Sequence, residues 1–309
     1  VADGTVFLSE SSRTDAQREG LVRSGTPSKV VHCGVDVGAE GFNEARPSGL
    51  EADARGFVLC IGATYLHKNR PFALETWAEL RRRGWDGQIV LAGPNPPHGN
   101  SVTQEAAFAL SHPELRGEIR TLGRVSEAEK RWLYQRAALL LYPSTTEGFG
   151  LVPFEAARHR VPTLATRHGG LDEVLPDDIP VLTGFDCNQA ADDAWLLLHD
   201  SSSAEKLCDA ILEQAEKYTW AHAATELVAF FEDVLRQPTS RVLSIEGEGF
   251  VPIGIGPRLQ QNPRRVDGFD AIVRAVIARP GLKRVIAPNG SARQRAVRNG
   301  LSAIRRRLL

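Results

Sequence analysis

The chain has no methionine and only four cysteines among its 309 residues. Cys33, Cys60, Cys187 and Cys208 lie far apart, form no CxxC pair and have no histidine at structural-zinc spacing, which argues against a disulfide scaffold or a zinc module. Free, buried thiols in a reducing compartment are the expectation. No apolar run reaches the roughly 18 residues of a membrane span, and the amino end has no basic segment followed by an apolar stretch and a cleavage site. A soluble, cytoplasmic protein is therefore expected. Because the chain starts at Val1 and holds no methionine, a segment is also expected to precede it.

Charge of either sign is scarce as a net quantity but not as a pattern. Lys plus Arg total 37 and Asp plus Glu total 38, for a net −1. From Arg258 onward, however, 13 basic residues face only Asp267 and Asp270, a local +11, which leaves −12 on the first 257 residues. The chain as a whole is not expected to bind nucleic acid, and any surface for an anionic partner belongs to the tail.

The apolar pattern is one of short strands alternating with helices. Thr5 to Leu8 and Val30 to His32 read as strands, with a helix over Ser12 to Glu19. Glycine, proline and acids gather between Gly38 and Gly56, marking a linker. Buried parallel strands are then predicted at Phe57 to Ile61, Ile89 to Ala92, Ile119 to Leu122, Ala137 to Tyr142, Pro162 to Ala165 and Ile179 to Leu182. Helices are predicted at Phe72 to Leu80, Gln104 to Leu110, Glu127 to Gln135, Pro153 to His159, Asp192 to Leu198, Ser203 to Lys217 and Ala221 to Leu235. This rhythm predicts an α/β fold, a Rossmann-like parallel sheet with helices on both faces. Past Pro238 it gives way to glycines and prolines, with helices expected at Asp270 to Ala278 and Asn299 to Leu309.

Three strand-to-helix loops carry the candidate chemistry. The first, Gly62-Ala63-Thr64-Tyr65-Leu66-His67-Lys68-Asn69, is neither a Walker loop nor a GxGxxG fingerprint, which speaks against a nicotinamide cofactor. Gly62 allows close backbone approach, and Lys68 can neutralise a diphosphate. The second runs from Pro143-Ser144 through Glu147-Gly148-Phe149-Gly150-Leu151 to Pro153 and Glu155, and its N–H groups can hold an anion at a helix start. Glu147 and Glu155 stand eight positions apart, about 12 Å along a continuous helix. They therefore suit two parts of one long ligand, a sugar at one end and a nucleoside ribose at the other. Equally, Glu155 can serve the helix dipole and Glu147 face water. The third is Thr166-Arg167-His168-Gly169-Gly170-Leu171-Asp172-Glu173-Val174, whose paired glycines can present N–H groups to phosphate while Glu173 orients the loop or accepts a hydroxyl. All three should open on one sheet edge.

Glu147 with Gly148-Phe149-Gly150 and Glu155 resembles the glutamate, seven residues, glutamate motif of glycosyltransferase family 4. Gly62 with Lys68-Asn69, Gly93, Gly123, Pro143-Ser144 and Gly169-Gly170 with Glu173 follow the same family order. Ser9-Glu10-Ser11-Ser12 and Gly34-Val35-Asp36 resemble the end of its amino-terminal domain. The likeness spans about Asp3 to Leu235.

The resemblance implies the donor half of a two-Rossmann (GT-B) retaining transferase. Residues 1–45 would be a remnant of the acceptor domain and crossover, 46–237 the nucleotide-sugar donor domain, and 238–309 a basic extension. Lys68 and Glu147 would be the catalytic residues. Gly62, Thr64, His67, Lys68, Glu147, Gly148, Phe149, Gly150, Leu151, Glu155, Gly169 and Gly170 would bind the donor, with no metal and no cofactor. The implied partners are a nucleoside-diphosphate sugar, a carbohydrate or lipid-linked acceptor, the missing amino-terminal domain and, through the tail, the inner membrane face. Ala63 and His67 stand where relatives carry arginines, and Arg160 where a glycine is usual. A degenerate nucleotide-sugar binding or scaffolding module is the alternative. A nucleotide-sugar epimerase is a third reading, which the glutamate spacing fits less well.

Overall fold

The computed structural model describes residues 3–22, 25–35, 43–51, 54 and 56–237. The linker's Gly38, Asp36 and the two helices expected in the basic tail lie outside the described residues. Gly4–Leu227 forms one compact unit.

Two parallel strands, β1 (Thr5–Phe7) and β2 (Ser28–Val30), flank helix α1 (Glu10–Arg18). The main sheet then alternates with helices: β3 (Phe57–Ile61), α2 (Arg70–Arg82), β4 (Ile89–Ala92), α3 (Val102–Ser111), β5 (Ile119–Gly123), α4 (Glu127–Tyr134), β6 (Ala137–Tyr142), α5 (Val152–Arg158), β7 (Thr163–Thr166), α6 (Gly170–Val174) and β8 (Val181–Leu182). Helices α7 (Cys187–His199), α8 (Ser201–Ala215) and α9 (Trp220–Arg236) follow. The strand order is β5-β4-β3-β6-β7-β8, parallel throughout. This is the expected α/β Rossmann-like domain.

The central strands are continuous apolar runs because both of their faces are covered. Every residue of β3 and β4 is buried. Helix α2 packs on α7, and α5 on α8. Trp77 of α2 is fully buried, its indole N–H donating to the Gly87 carbonyl at 2.9 Å, so the largest core side chain keeps its polar atom satisfied.

Element ends differ from the sequence reading where a cap or a proline decides. The Asp186 carboxylate accepts from the N–H groups of Asn188 and Gln189, starting α7 five residues before the expected Asp192. Pro180 lacks a ladder donor, and β8 begins after it. Cys60 and Cys208 are buried as expected, but Cys33 and Cys187 are only half-buried. Among the described residues no helix is long and apolar enough to cross a membrane.

Candidate functional site

The strand order reverses between β3 and β6. The chain leaves β3 toward β4 on one side and leaves β6 toward β7 on the other, so the loops at their carboxyl ends diverge and open a crevice. Lys68 and Glu147 enter it from the two sides. The Lys68 ammonium is ion-paired with the Glu147 carboxylate and donates to the Tyr142 hydroxyl at 3.1 Å. The pair is largely enclosed, 16% and 10% exposed. Burial, and then the Glu147 charge, hold the Tyr142 phenol well above its ordinary 10. Tyr142, the last residue of β6, was read from sequence only as the end of a strand and not as a site residue; its place just before Pro143-Ser144 was the available signal.

The third loop is packed against the second. Gly169 has φ 65°, and a Cβ there would lie 2.5 Å from the Glu147 carbonyl oxygen and 2.7 Å from its nitrogen. At Gly170 a Cβ would meet the Gly148 carbonyl oxygen at 2.4 Å, and the Gly170 N–H donates to the Glu147 carbonyl at 2.7 Å. Only paired glycines permit this approach. The Thr145 N–H donates to the His67 carbonyl at 2.7 Å, closing the seam between the first two loops.

Glu155, in the first turn of α5, stands apart from this pair. Lys130 donates to one of its oxygens at 3.0 Å and the Tyr134 hydroxyl to the other at 2.9 Å, both from α4. Its carboxylate plane is thereby set, while the side chain stays 34% exposed. Burial opposes the Lys130 charge, yet Glu155 and Glu127 outweigh it and raise its pKa. Burial, followed by Glu155, raises the Tyr134 phenol well above 10. Neither Lys130 nor Tyr134 was singled out from sequence.

The remaining candidates divide. Gly62 lies under the Lys68 side chain, 3.6 Å from where its Cβ would be. His67 stacks on Tyr65, and burial, then Lys68, lower its pKa. The Thr64 hydroxyl is buried and donates to Asn95 at 2.9 Å. The Phe149 ring is buried against His32, Phe154 and Tyr218, so its side chain belongs to the core. Leu151 is half-buried at the start of α5, packed on the core. Gly150, at φ 92°, sits where a Cβ would meet Leu171 at 2.2 Å, and Gly148 lies near Leu8. Glu173 neither holds its own loop nor faces the crevice with a free carboxylate: it accepts from the Glu10 and Ser11 N–H groups at 2.8 and 2.7 Å, capping α1. Among the described residues no group of three or more His, Cys, Asp or Glu side chains could hold a metal.

Comparison with known proteins places this geometry in context. A family described as glycosyl transferases group 1 matches residues 41–218. The chain is 24% identical to the alpha-D-kanosaminyltransferase of Streptomyces kanamyceticus, over 75% of this chain and 61% of that protein. It is 30% identical to the D-inositol 3-phosphate glycosyltransferase of Corynebacterium diphtheriae, over 56% of this chain and 41% of the relative. The chain thus spans between about two fifths and three fifths of these relatives' length. Among solved structures, Anabaena Alr3699/HepE in complex with UDP and glucose aligns with a TM-score of 0.62 at 16% identity, covering 75% of this chain and 64% of that one. Sucrose-phosphate synthase from Thermosynechococcus elongatus aligns with a TM-score of 0.60 at 21% identity, covering 76% and 59%.

Proposed function

Because this chain belongs to the group 1 glycosyl transferases, we propose that its crevice binds a nucleoside-diphosphate sugar and that the protein transfers the sugar to an acceptor hydroxyl with retention, in the manner of glycosyltransferase family 4. One observation carries the reading. A cation and a carboxylate, Lys68 and Glu147, reach from opposite sides of the switch point to meet beside the Gly169-Gly170 turn. A neighbour of the same fold was solved with UDP and with UDP-glucose, which supports a nucleotide-sugar ligand.

In this reading the bond from the anomeric carbon to the diphosphate oxygen breaks, and its electron pair stays on the diphosphate. Lys68 and nearby N–H groups meet the negative charge that grows on the diphosphate beyond what it carries in the ground state. The acceptor oxygen bonds the same face of the sugar, and its proton passes to the departing phosphate oxygen. Glu147 exchanges Lys68 for the sugar hydroxyls and acts by positioning and charge. Glu155, held by Tyr134 and Lys130, takes the ribose hydroxyls.

A carbohydrate or lipid-linked acceptor, a cytoplasmic setting and contact of the basic segment 258–309 with an anionic membrane face belong to the same proposal. So does the division into crossover (1–45), donor domain (46–237) and extension (238–309).

Calorimetric titration with UDP, GDP, ADP and their sugars tests it. The parent is expected to bind at least one, and Lys68→Ala and Glu155→Ala each to weaken that binding about 10- to 150-fold, the loss of a charge-assisted bond of about 1.5–3 kcal/mol. A parent that binds none ends the reading; unchanged affinity in both variants overturns the residue roles. The alternative, a binding module without transfer, is favoured by the uncharged Ala63 and predicts tight binding with no turnover of the bound nucleotide sugar.

A further inference from the structure

Arg70, the first residue of α2, is only 1% exposed. One guanidinium nitrogen, Nη2, donates to the Gly62 carbonyl at 2.6 Å and to the Ala92 carbonyl at 2.8 Å. Nη1 lies 3.7 Å from a Glu105 carboxylate oxygen, and neither Nη1 nor Nε makes a hydrogen bond among the described residues. A cation buried with two nitrogens unbonded is costly, and its placement calls for a cause beyond packing.

That cause lies in the peptide above it. A trans peptide points its C=O and N–H in opposite directions. With the Gly62 carbonyl drawn down onto Arg70, the Ala63 N–H is turned away from the protein body. The same happens two residues on. Thr64 and Leu66 spend their N–H groups on the Pro94 and Gly99 carbonyls at 3.0 and 2.9 Å, and the Thr64 carbonyl accepts from the Ser101 N–H at 2.7 Å. Tyr65 therefore faces Asn100 as the non-bonded residue of an antiparallel bridge, its N–H directed outward. Neither the Ala63 nor the Tyr65 N–H has an acceptor among the described residues. The Ser101 hydroxyl donates to Glu105 at 2.6 Å, so the carboxylate beside Arg70 is held by the same residue whose N–H binds the Thr64 carbonyl.

Two N–H groups two residues apart on an extended segment lie about 7 Å apart on one side. That spacing suits two phosphoryl groups better than one, and the Lys68 side chain lies over the same Gly62. We propose that the Ala63 and Tyr65 N–H groups form the diphosphate cradle of the crevice, and that Arg70 is the positioning residue that aims it. The buried fork orients a backbone donor where the loop itself carries no side-chain cation at position 63. This inference rests on the nucleotide-sugar reading above.

The test uses the full chain labelled with 15N, titrated with UDP, GDP, ADP, pyrophosphate and, as control, uridine. The Ala63 and Tyr65 amide protons are expected to move downfield with the nucleotide that binds and with pyrophosphate, but not with uridine. Those of Thr64 and Leu66, already bonded within the protein, should move much less. Arg70→Lys keeps the charge but cannot grip both carbonyls, so the ratio of diphosphate to nucleoside affinity should fall about tenfold. The proposal is overturned if Ala63 and Tyr65 stay still while the loops at Glu147 and Gly169 respond. It is overturned equally if Arg70→Lys weakens nucleoside and diphosphate alike, the mark of a merely structural role. Should Arg70→Lys not fold, the parent spectra decide. A parent in which no nucleotide moves any resonance rejects the nucleotide-sugar reading itself, a result distinct from a bound nucleotide that ignores these two amides.

Discussion

At the scale of single residues, the crevice is held together by atoms that are absent. Gly169 lacks the Cβ that would stand 2.5 Å from the Glu147 carbonyl oxygen, and its φ of 65° is one that side chains rarely adopt. Gly169→Ala therefore carries a positive-φ strain of about 1–3 kcal/mol together with a backbone collision that only moving Glu147 can relieve. The expected outcome is a fall of several degrees in the thermal midpoint and a loss of nucleotide affinity like that of Lys68→Ala. Gly184→Ala makes the control, since that glycine has a similar φ of 64° with nothing within 4 Å of the added carbon. It should share the first effect only. Calorimetry on the two variants checks this, and equal nucleotide affinity in both would show that the Gly169 contact does not set the site.

At the scale of elements, what could be read from sequence follows from how local the determining force is. The runs Phe57–Ile61, Ile89–Ala92 and Ala137–Tyr142 were legible to the residue, because burial on both faces demands an unbroken apolar segment. Helix α7 was half missed: its first turn carries polar Asn188 and Gln189, and only the Asp186 cap announces it. The three loops and their glycines were also legible, since strand ends and turn residues are local signals. The contacts were not. Lys68 meets Glu147 across 79 positions, and Arg70, at the head of an amphipathic helix, reads as a solvated cation until the Gly62 and Ala92 carbonyls are seen above it. One helix contact also yields a pH test. Glu79 of α2 accepts from Arg82 at 2.6 and 2.7 Å and from Arg83 at 2.8 Å, which pulls its pKa from 4.5 down to about 2. Arg83 also pairs with Asp192, tying α2 to α7. A depressed carboxylate contributes stability that is complete above pH 4.5 and lost as pH falls toward 2. Glu79→Gln should therefore melt below the parent at pH 7, with the gap closing between pH 4.5 and 2. A gap of constant size across that range would mean that the carboxylate's charge contributes nothing.

At the scale of the whole molecule, sheet order explains why the site stands where it does. Strands β3 and β6 are neighbours in the middle of the sheet, and the chain departs from them in opposite directions. The most buried backbone thus lies directly beneath the loops that must be both exposed and fixed. Strand β8, two residues long, forms one edge, while β5 at the other is only partly buried. Native-state hydrogen exchange should reflect this gradient. Amides of Val58–Ile61, Val90–Leu91 and Leu139–Leu141 are expected to exchange slowest, near the global unfolding limit, and those of β8 much faster. Adding the nucleoside diphosphate that binds should then slow exchange at 62–69, 143–151 and 167–170 together, because the Thr145 to His67 and Gly170 to Glu147 hydrogen bonds join the three loops into one wall. Protection of one loop alone would separate them energetically. Protection at the amino ends of the strands would move the ligand to the opposite edge of the sheet, where none of Lys68, Glu147 and Glu155 can reach it.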